Sequence, residues 1–349
     1  MKRIGQTVCA LLLVAFAALL LQPIPAKADA KASFAKTLYI AAYGDEVKIE
    51  AHVSADRTTE WILRTDTGTE LGRASAAKQT VSFAFRATRE LPYRTVLQLF
   101  ADGGETALCE TQLFCDQSRN GGVRQVATDG KKLAFTFDAA NAASHTLEIL
   151  DILEQYGAKG TFFVIGQYAV ANPDVCEQIA ARGHELASHS YEHMEMVGAT
   201  AEKAYESVKK TDALLRTFNG DTRVLYRPPS GRSTFRDRAI ARGLGGEVII
   251  WSIDSGDGFS YVSENGVKNR IRSTLHNGGI VLMHVYGRYT RQALKELLPY
   301  YAEQGYSFVT VSDLLISGPS YIDVYGTQRP LRHTEEQIAP IAARLKDGW

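Results

Sequence analysis

Leu133-Ala-Phe-Thr-Phe-Asp138 is an apolar run that ends on a carboxylate. It reads as a strand, and it is the first of a series. Thr161 to Ile165, Glu185 to Ala187, Val224 to Tyr226, Val248 to Trp251, Ile280 to Met283 and Phe308 to Val311 follow in the same manner. Helical stretches lie between them. Leu147, Leu150, Ile152 and Leu153 fit one helix face, and Asn172-Pro173 places a capping residue before a proline at the first helical position. Further helices are expected over about 201–218, 263–276 and 290–304. Alternating strand and helix specifies an α/β domain with a parallel sheet, open or closed into a barrel. In such folds chemistry gathers at the C-terminal ends of the strands.

Upstream the pattern differs. Residues 31–116 read as all-β: Val47, Ile49, Ala51 and Val53 alternate with polar residues, as do Val81, Phe83 and Phe85. Short strands near Trp61–Arg64, Thr95–Phe100 and Leu108–Cys115, separated by turn signals, predict a small sandwich-like domain. Residues 117–130 are polar and Gly-containing and read as a linker to the α/β domain over 131–318. Residues 319–349 form a polar C-terminal extension with a short helix expected near Glu335–Leu345. At the other end, Lys2 and Arg3 precede an apolar run from Val8 to Leu21, followed by Ala26-Lys-Ala28. Residues 1–28 therefore read as a secretory signal, the run being short of the roughly 20 residues that span a bilayer. The mature protein is expected to be secreted, extracellular or wall-associated, without stable membrane insertion.

Lys+Arg and Asp+Glu are both 39, so nothing suggests a basic protein that grips nucleic acid. With 45% hydrophobic residues a sizeable core is available. Cys9 lies in the signal, which leaves Cys109, Cys115 and Cys176, at most one disulfide and a spare thiol. Cys109 and Cys115 would lie about 20 Å apart on one extended strand, too far to bridge. No cysteine pair has metal-site spacing, and none is assigned a catalytic role.

Ionisable residues recur where the strands of the α/β domain end. Asp138 closes the first. His189 and His193 follow the third, Arg227 the fourth, Asp254 and Asp257 the fifth, and His284 the sixth. One such residue is unremarkable as a cap or a satisfied core group; five such sites, in order on one rim, point to a shared active site. The four-residue spacing of His189 and His193 would put both rings on one side of a helical turn, where they can chelate a divalent ion. Imidazole suits zinc, with cobalt, nickel or iron also compatible.

These stretches, in order, resemble the polysaccharide deacetylase family, also called NodB-like or carbohydrate esterase family four. Thr136-Phe-Asp138-Ala139 is similar to the family's first motif and His189-Ser-Tyr-Glu-His193 matches its second. Arg227-Pro-Pro-Ser-Gly231, Trp251-Ser-Ile-Asp254-Ser-Gly-Asp257 and Leu282-Met-His284 resemble the third, fourth and fifth. The likeness covers about residues 131–316. It implies a distorted (β/α) barrel of about seven strands and removal of N-acetyl groups from a glycan. By the same resemblance Asp138 would be the base, His284 the acid, and His189 and His193 the metal ligands. Arg227 would hold Asp138 ionised, Asp257 would support His284, and the Ser230 backbone N–H would face the oxyanion. The implied partner is an N-acetylated glycan, peptidoglycan or chitin-like.

Three positions depart from the family pattern. Ala139 stands where most members carry a second Asp as a metal ligand. This leaves open a two-histidine site, a weakly binding site, or a catalytically silent glycan-binding wall protein; Asn141 and His145 are candidate substitutes. Gly258 and Ser230 stand in place of the usual Trp and Tyr, which would make room for a bulkier sugar such as a lactyl-bearing muramic residue. Phe259, Tyr261, Tyr286 and Tyr289 are alternative stacking surfaces. A small-molecule amidase is disfavoured by the export signal, and a glycosidase by the histidine where a second carboxylate is required.

Overall fold

The computed structural model describes residues 30–331 except 103, 117–121 and 221–223. The expected signal, the start of the expected linker and the helix near Glu335–Leu345 lie outside the described residues. No helix among the described residues is long and apolar enough to cross a membrane.

The chain divides into two compact units. Among the described residues, the first takes in 30–36, 47–85 and 96–111, and the second takes in 37–46, 86–95 and 112–331. The N-terminal strands are β1 (Ala30–Phe34), β2 (Leu38–Ala42), β3 (Glu46–Thr65), β4 (Glu70–Arg86), β5 (Arg94–Ala101) and β6 (Cys109–Asp116). In the first unit β1 pairs antiparallel with the start of β3, and the end of β3 pairs antiparallel with β5. The two strands expected over Val47–Val53 and Trp61–Arg64 are one long strand. No glycine or proline interrupts Ser54–Glu60, so the backbone has no reason to turn. Trp61 is fully buried and donates its indole N–H to the Ala76 carbonyl at 2.9 Å. Residues 37–46 and 86–95, expected in the β domain, pack with the second unit instead, where Leu38 and Phe114 join an apolar cluster with Tyr226, Ile240 and Val248. Cys109, Cys115 and Cys176 are all free thiols, and burial pushes the Cys115 and Cys176 thiols up to about 12.

In the second unit, β7 (Gln125–Val126) is followed by β8 (Lys132–Ala139), β9 (Gly160–Val164), β10 (Glu185–Ser188), β11 (Ile253–Asp254), β12 (Gly279–His284), β13 (Ser307–Phe308), β14 (Ser320–Ile322) and β15 (Thr327–Pro330). β8 pairs parallel with β9, β9 with β10, and β12 with both β8 and β11. Parallel bridges from Ser188 to Tyr226 and from Tyr226 to Val248 complete the circuit, and β13 pairs parallel with the start of β8. The result, among the described residues, is a distorted barrel of parallel segments. Two of them are held by isolated bridges, so the wall is irregular there.

Phe135, Phe137 and Phe162 are fully buried beneath helices, each contributing on the order of 2–3 kcal/mol. The helix Ala143–Gln155 presents Thr146, Ile149, Leu150 and Leu153 to them, a spacing of three and four. Part of the expected linker is not a linker: Gln125 pairs antiparallel with Gly279 of β12, and β15 joins β7 in parallel. Val123 and Val126 are buried with Ile249 and Ile280, but two short apolar residues among polar ones give too weak a signal to read. Likewise the C-terminal extension contributes a β14–β15 hairpin to this sheet.

Candidate active site

Every group of the rim comes from the same end of the barrel because the strands are parallel. Asp138 and His284 are direct register partners on β8 and β12, which sets their Cα atoms about 4.8 Å apart. The pleat turns Phe135 and Phe137 toward the helices and leaves Asp138 on the opposite face.

Asp138 is tied to Arg227, whose Nη1 donates to Oδ1 at 2.8 Å. Arg227 has no exposed surface. Its Nε and Nη2 donate to the carbonyls of Ile249 and Ile250, and its Cζ lies 3.9 Å from the Phe163 ring centroid and 5.7 Å from that of Trp251. A guanidinium so enclosed cannot swing away from its carboxylate. Burial pushes the Asp138 carboxyl up, but the charges around it outweigh this and hold it below its ordinary range. Burial lowers His189 and keeps that ring neutral, so Arg227 is the buried charge that matters.

His284 is the mirror case. Its Nδ1 donates to Asp257 Oδ1 at 2.8 Å, and its backbone N–H donates to Asp257 Oδ2 at 2.8 Å. Thr290 Oγ1 donates to the same Oδ2 at 2.5 Å. Burial opposes the imidazolium, and Asp257 overcomes it, so the pKa of His284 is raised. Thr290 carried no sequence signal beyond its place at the start of a helix. Asp254 serves its own turn, accepting from the Gly256 N–H at 2.8 Å.

His189 and His193 do meet, with ring centroids 5.0 Å apart. They are not on a helical turn as their spacing suggested. Ser190 and His193 adopt left-handed φ values of 68° and 58°, and that loop geometry brings the rings together. His189 Nδ1 donates to the Arg227 carbonyl at 2.8 Å, which fixes the tautomer and leaves Nε2 a lone pair. That lone pair faces Asp138 Oδ2 at 3.5 Å. A neutral nitrogen and a carboxylate oxygen are both acceptors, so the pair is satisfied by a cation beside them; the donor set fits a divalent metal. Among the described residues no three His, Cys, Asp or Glu side chains converge tightly enough to enclose an ion alone, and His145 is not a third member. Ala139 is fully buried in the apolar cluster with Phe135 and Phe137.

Ser230 also has a left-handed φ, of 59°, and its hydroxyl donates to Glu195 Oε1 at 2.6 Å. A Cβ at Gly258 would stand 3.0 Å from His284 Cε1 and 3.1 Å from Nδ1, so a larger residue there would press on the His284 ring.

The family model for polysaccharide deacetylases matches residues 125–249. A peptidoglycan-N-acetylglucosamine deacetylase of Bacillus cereus is 31% identical over 196 residues, covering 55% of this chain and 91% of that protein. The chain belongs to the polysaccharide deacetylase family. Another relative of this deacetylase-family protein is the peptidoglycan-N-acetylglucosamine deacetylase of Listeria monocytogenes, 31% identical over 201 residues. That match covers 56% of this chain but only 42% of the Listeria protein. Among solved structures, a CE4 family pseudoenzyme from Bacillus anthracis superposes with a TM-score of 0.53 at 23% identity, over 67% of this chain and 76% of that one. It shares the barrel fold.

Proposed function

We propose that this chain is a metal-dependent hydrolase that removes N-acetyl groups from an extracellular cell-wall glycan, peptidoglycan or a chitin-like polymer. The observation that carries the reading is the Asp138–His284 pair. The two groups lie side by side on neighbouring strands, and their partners push them in opposite directions: Arg227 holds one ionised, and Asp257 holds the other protonated. Two titratable groups driven apart in this way divide naturally into base and acid.

In the proposed reaction Asp138 takes a proton from water as its oxygen adds to the amide carbonyl carbon. The Ser230 backbone N–H faces the oxygen that gains charge. Collapse breaks the C–N bond, and His284 passes its Nε2 proton to the departing amine. Arg227 and Asp257 keep base and acid in register throughout. His189 and His193 would hold a divalent cation, with zinc favoured by the imidazole ligands and cobalt, nickel or iron compatible. When bound, such an ion supplies Lewis-acid polarisation of the acetyl carbonyl and lowers the pKa of water. A wall substrate agrees with the export signal expected over residues 1–28, and the Bacillus cereus and Listeria relatives named for peptidoglycan deacetylation support the substrate class.

Ala139 favours a second reading, a catalytically silent glycan-binding wall protein, because the family's second carboxylate is replaced by a methyl group in an apolar cluster. Acetate release from peptidoglycan and from chitooligosaccharides, with and without added divalent metal, separates the two. Metal-stimulated release is expected. Glycan binding with no release from any substrate at saturating metal would reject the enzyme and leave the binding protein.

A further inference from the structure

Between His284 and the helix Thr290–Glu303 the chain makes a tight return. The Gly287 N–H donates to the His284 carbonyl at 3.1 Å, and the Thr290 N–H donates to the Gly287 carbonyl at 3.3 Å. The return carries the Thr290 side chain, which has no exposed surface, back onto Asp257. Thr290 Oγ1 lies 2.5 Å from Asp257 Oδ2 and 3.1 Å from the His284 carbonyl oxygen. A hydroxyl has one proton, and the nearer, charged acceptor takes it. The carbonyl already has a donor in Gly287. Gly287 is what permits the approach. A Cβ there would stand 2.6 Å from Asp257 Oδ2 and would also collide with Thr290 Oγ1. No side chain fits between the turn and the carboxylate, so only glycine lets the backbone pass this close.

We propose that Thr290 is a positioning residue, whose hydroxyl locks the Asp257 carboxylate in the one rotation that presents Oδ1 to His284 Nδ1. This rests on the hydrolytic reading above for the role of His284. Asp257 accepts from three donors, and they divide its two oxygens. Oδ1 takes the imidazole Nδ1–H, while Oδ2 takes the His284 backbone N–H and the Thr290 hydroxyl. The terminal torsion of an aspartate is broad, so the imidazole contact alone does not fix the carboxylate plane. The two donors on Oδ2 fix it. The imidazole Nδ1 then keeps its proton on Asp257, and Nε2 is the nitrogen left to exchange a proton with the substrate. Asp138, Arg227 and the Tyr286 phenol also face this imidazole, Tyr286 with its ring centroid 5.0 Å away. None of them takes the Nδ1 bond, which goes to Asp257. Burial works against the imidazolium and Asp257 outweighs it, so a carboxylate turned out of place lowers the pKa of His284.

The test uses the full chain with Thr290→Val, and Thr290→Ser as the variant that keeps the hydroxyl. A methyl group cannot sit as close to an oxygen as the hydroxyl does, so valine both removes the donor and displaces the carboxylate. Thr290→Ala, which removes the donor alone, takes its place if valine is not accommodated. NMR of the protein with 15N-labelled histidine reads the tautomer and titration of His284, assigned by the signal lost in His284→Ala, and needs no turnover. The pH profile of kcat/KM for acetate release reads the same group at work. Thr290→Val is expected to mix the His284 tautomers and to move its titration and the alkaline limb about one pH unit lower. Thr290→Ser should restore both. An unmoved tautomer and titration in the donor-less variant would overturn the assignment. So would a shift to higher pH, because the hydroxyl would then be draining charge from Asp257 rather than holding it in place. The expected NMR changes without acetate release from parent or variants would uphold Thr290 while rejecting the hydrolase.

Discussion

Ala139→Asp restores the carboxylate that the family pattern carries, and the structure sets the terms of the exchange. Ala139 has no exposed surface and shares its cluster with Phe135, Phe137 and Val164. An ionised carboxylate there, with no cation to pair it, is an uncompensated buried charge and should cost about 3–5 kcal/mol. For a unit of this size that corresponds to a fall in Tm of roughly 6–20 °C in the presence of a chelator. If the new carboxylate completes a metal site with His189 and His193, added zinc returns the loss. Binding at 100 times Kd contributes about 2.7 kcal/mol, and a tighter site more. Thermal unfolding is therefore followed for both proteins across a zinc titration, with acetate release measured alongside. The expected result is a variant less stable than the parent without metal, yet stabilised by zinc at concentrations at least tenfold lower. The reasoning fails if zinc shifts the two proteins equally, because the position would then lie outside the coordination sphere.

Other substitutions probe the remaining parts of the site. Asp138→Asn and His284→Ala should each reduce acetate release by about two to four orders of magnitude while circular dichroism stays native; a small loss in either would remove that residue from the chemistry. His189→Ala should abolish metal uptake as read by elemental analysis, and retained metal would reject it as a ligand. Asp257→Asn acts through pH. His284 must be protonated to act as acid, and Asp257 raises its pKa. Removing that charge lowers the pKa, so the alkaline limb of kcat/KM should move to lower pH. The acid limb, set by Asp138, should stay in place below the ordinary carboxylate range. An unmoved alkaline limb would detach His284 from that ionisation.

Much of the site was legible because strand ends are legible. Asp138, Arg227 and His284 each close an apolar run, and parallel strands in one barrel wall deliver such residues to one rim. The linker was not legible. Gln125–Val126 has too few residues to show a period, and it becomes a strand only because Gly279 and Thr327 are there to pair with it. The helical turn expected for His189 and His193 failed for a related reason. Their spacing suits a helix, but Ser190 and His193 take left-handed conformations that no propensity announces.

Taken alone, the sequence determined the succession of strands and helices and which ionisable groups stand at their ends, because hydrophobic periodicity is written within a few consecutive residues. Tertiary closure decided the rest. Arg227 reaches Asp138 from 89 residues away, and the Asp257 carboxylate finds both His284 and Thr290. Such contacts depend on where distant strands meet around the barrel, and only the folded chain fixes that.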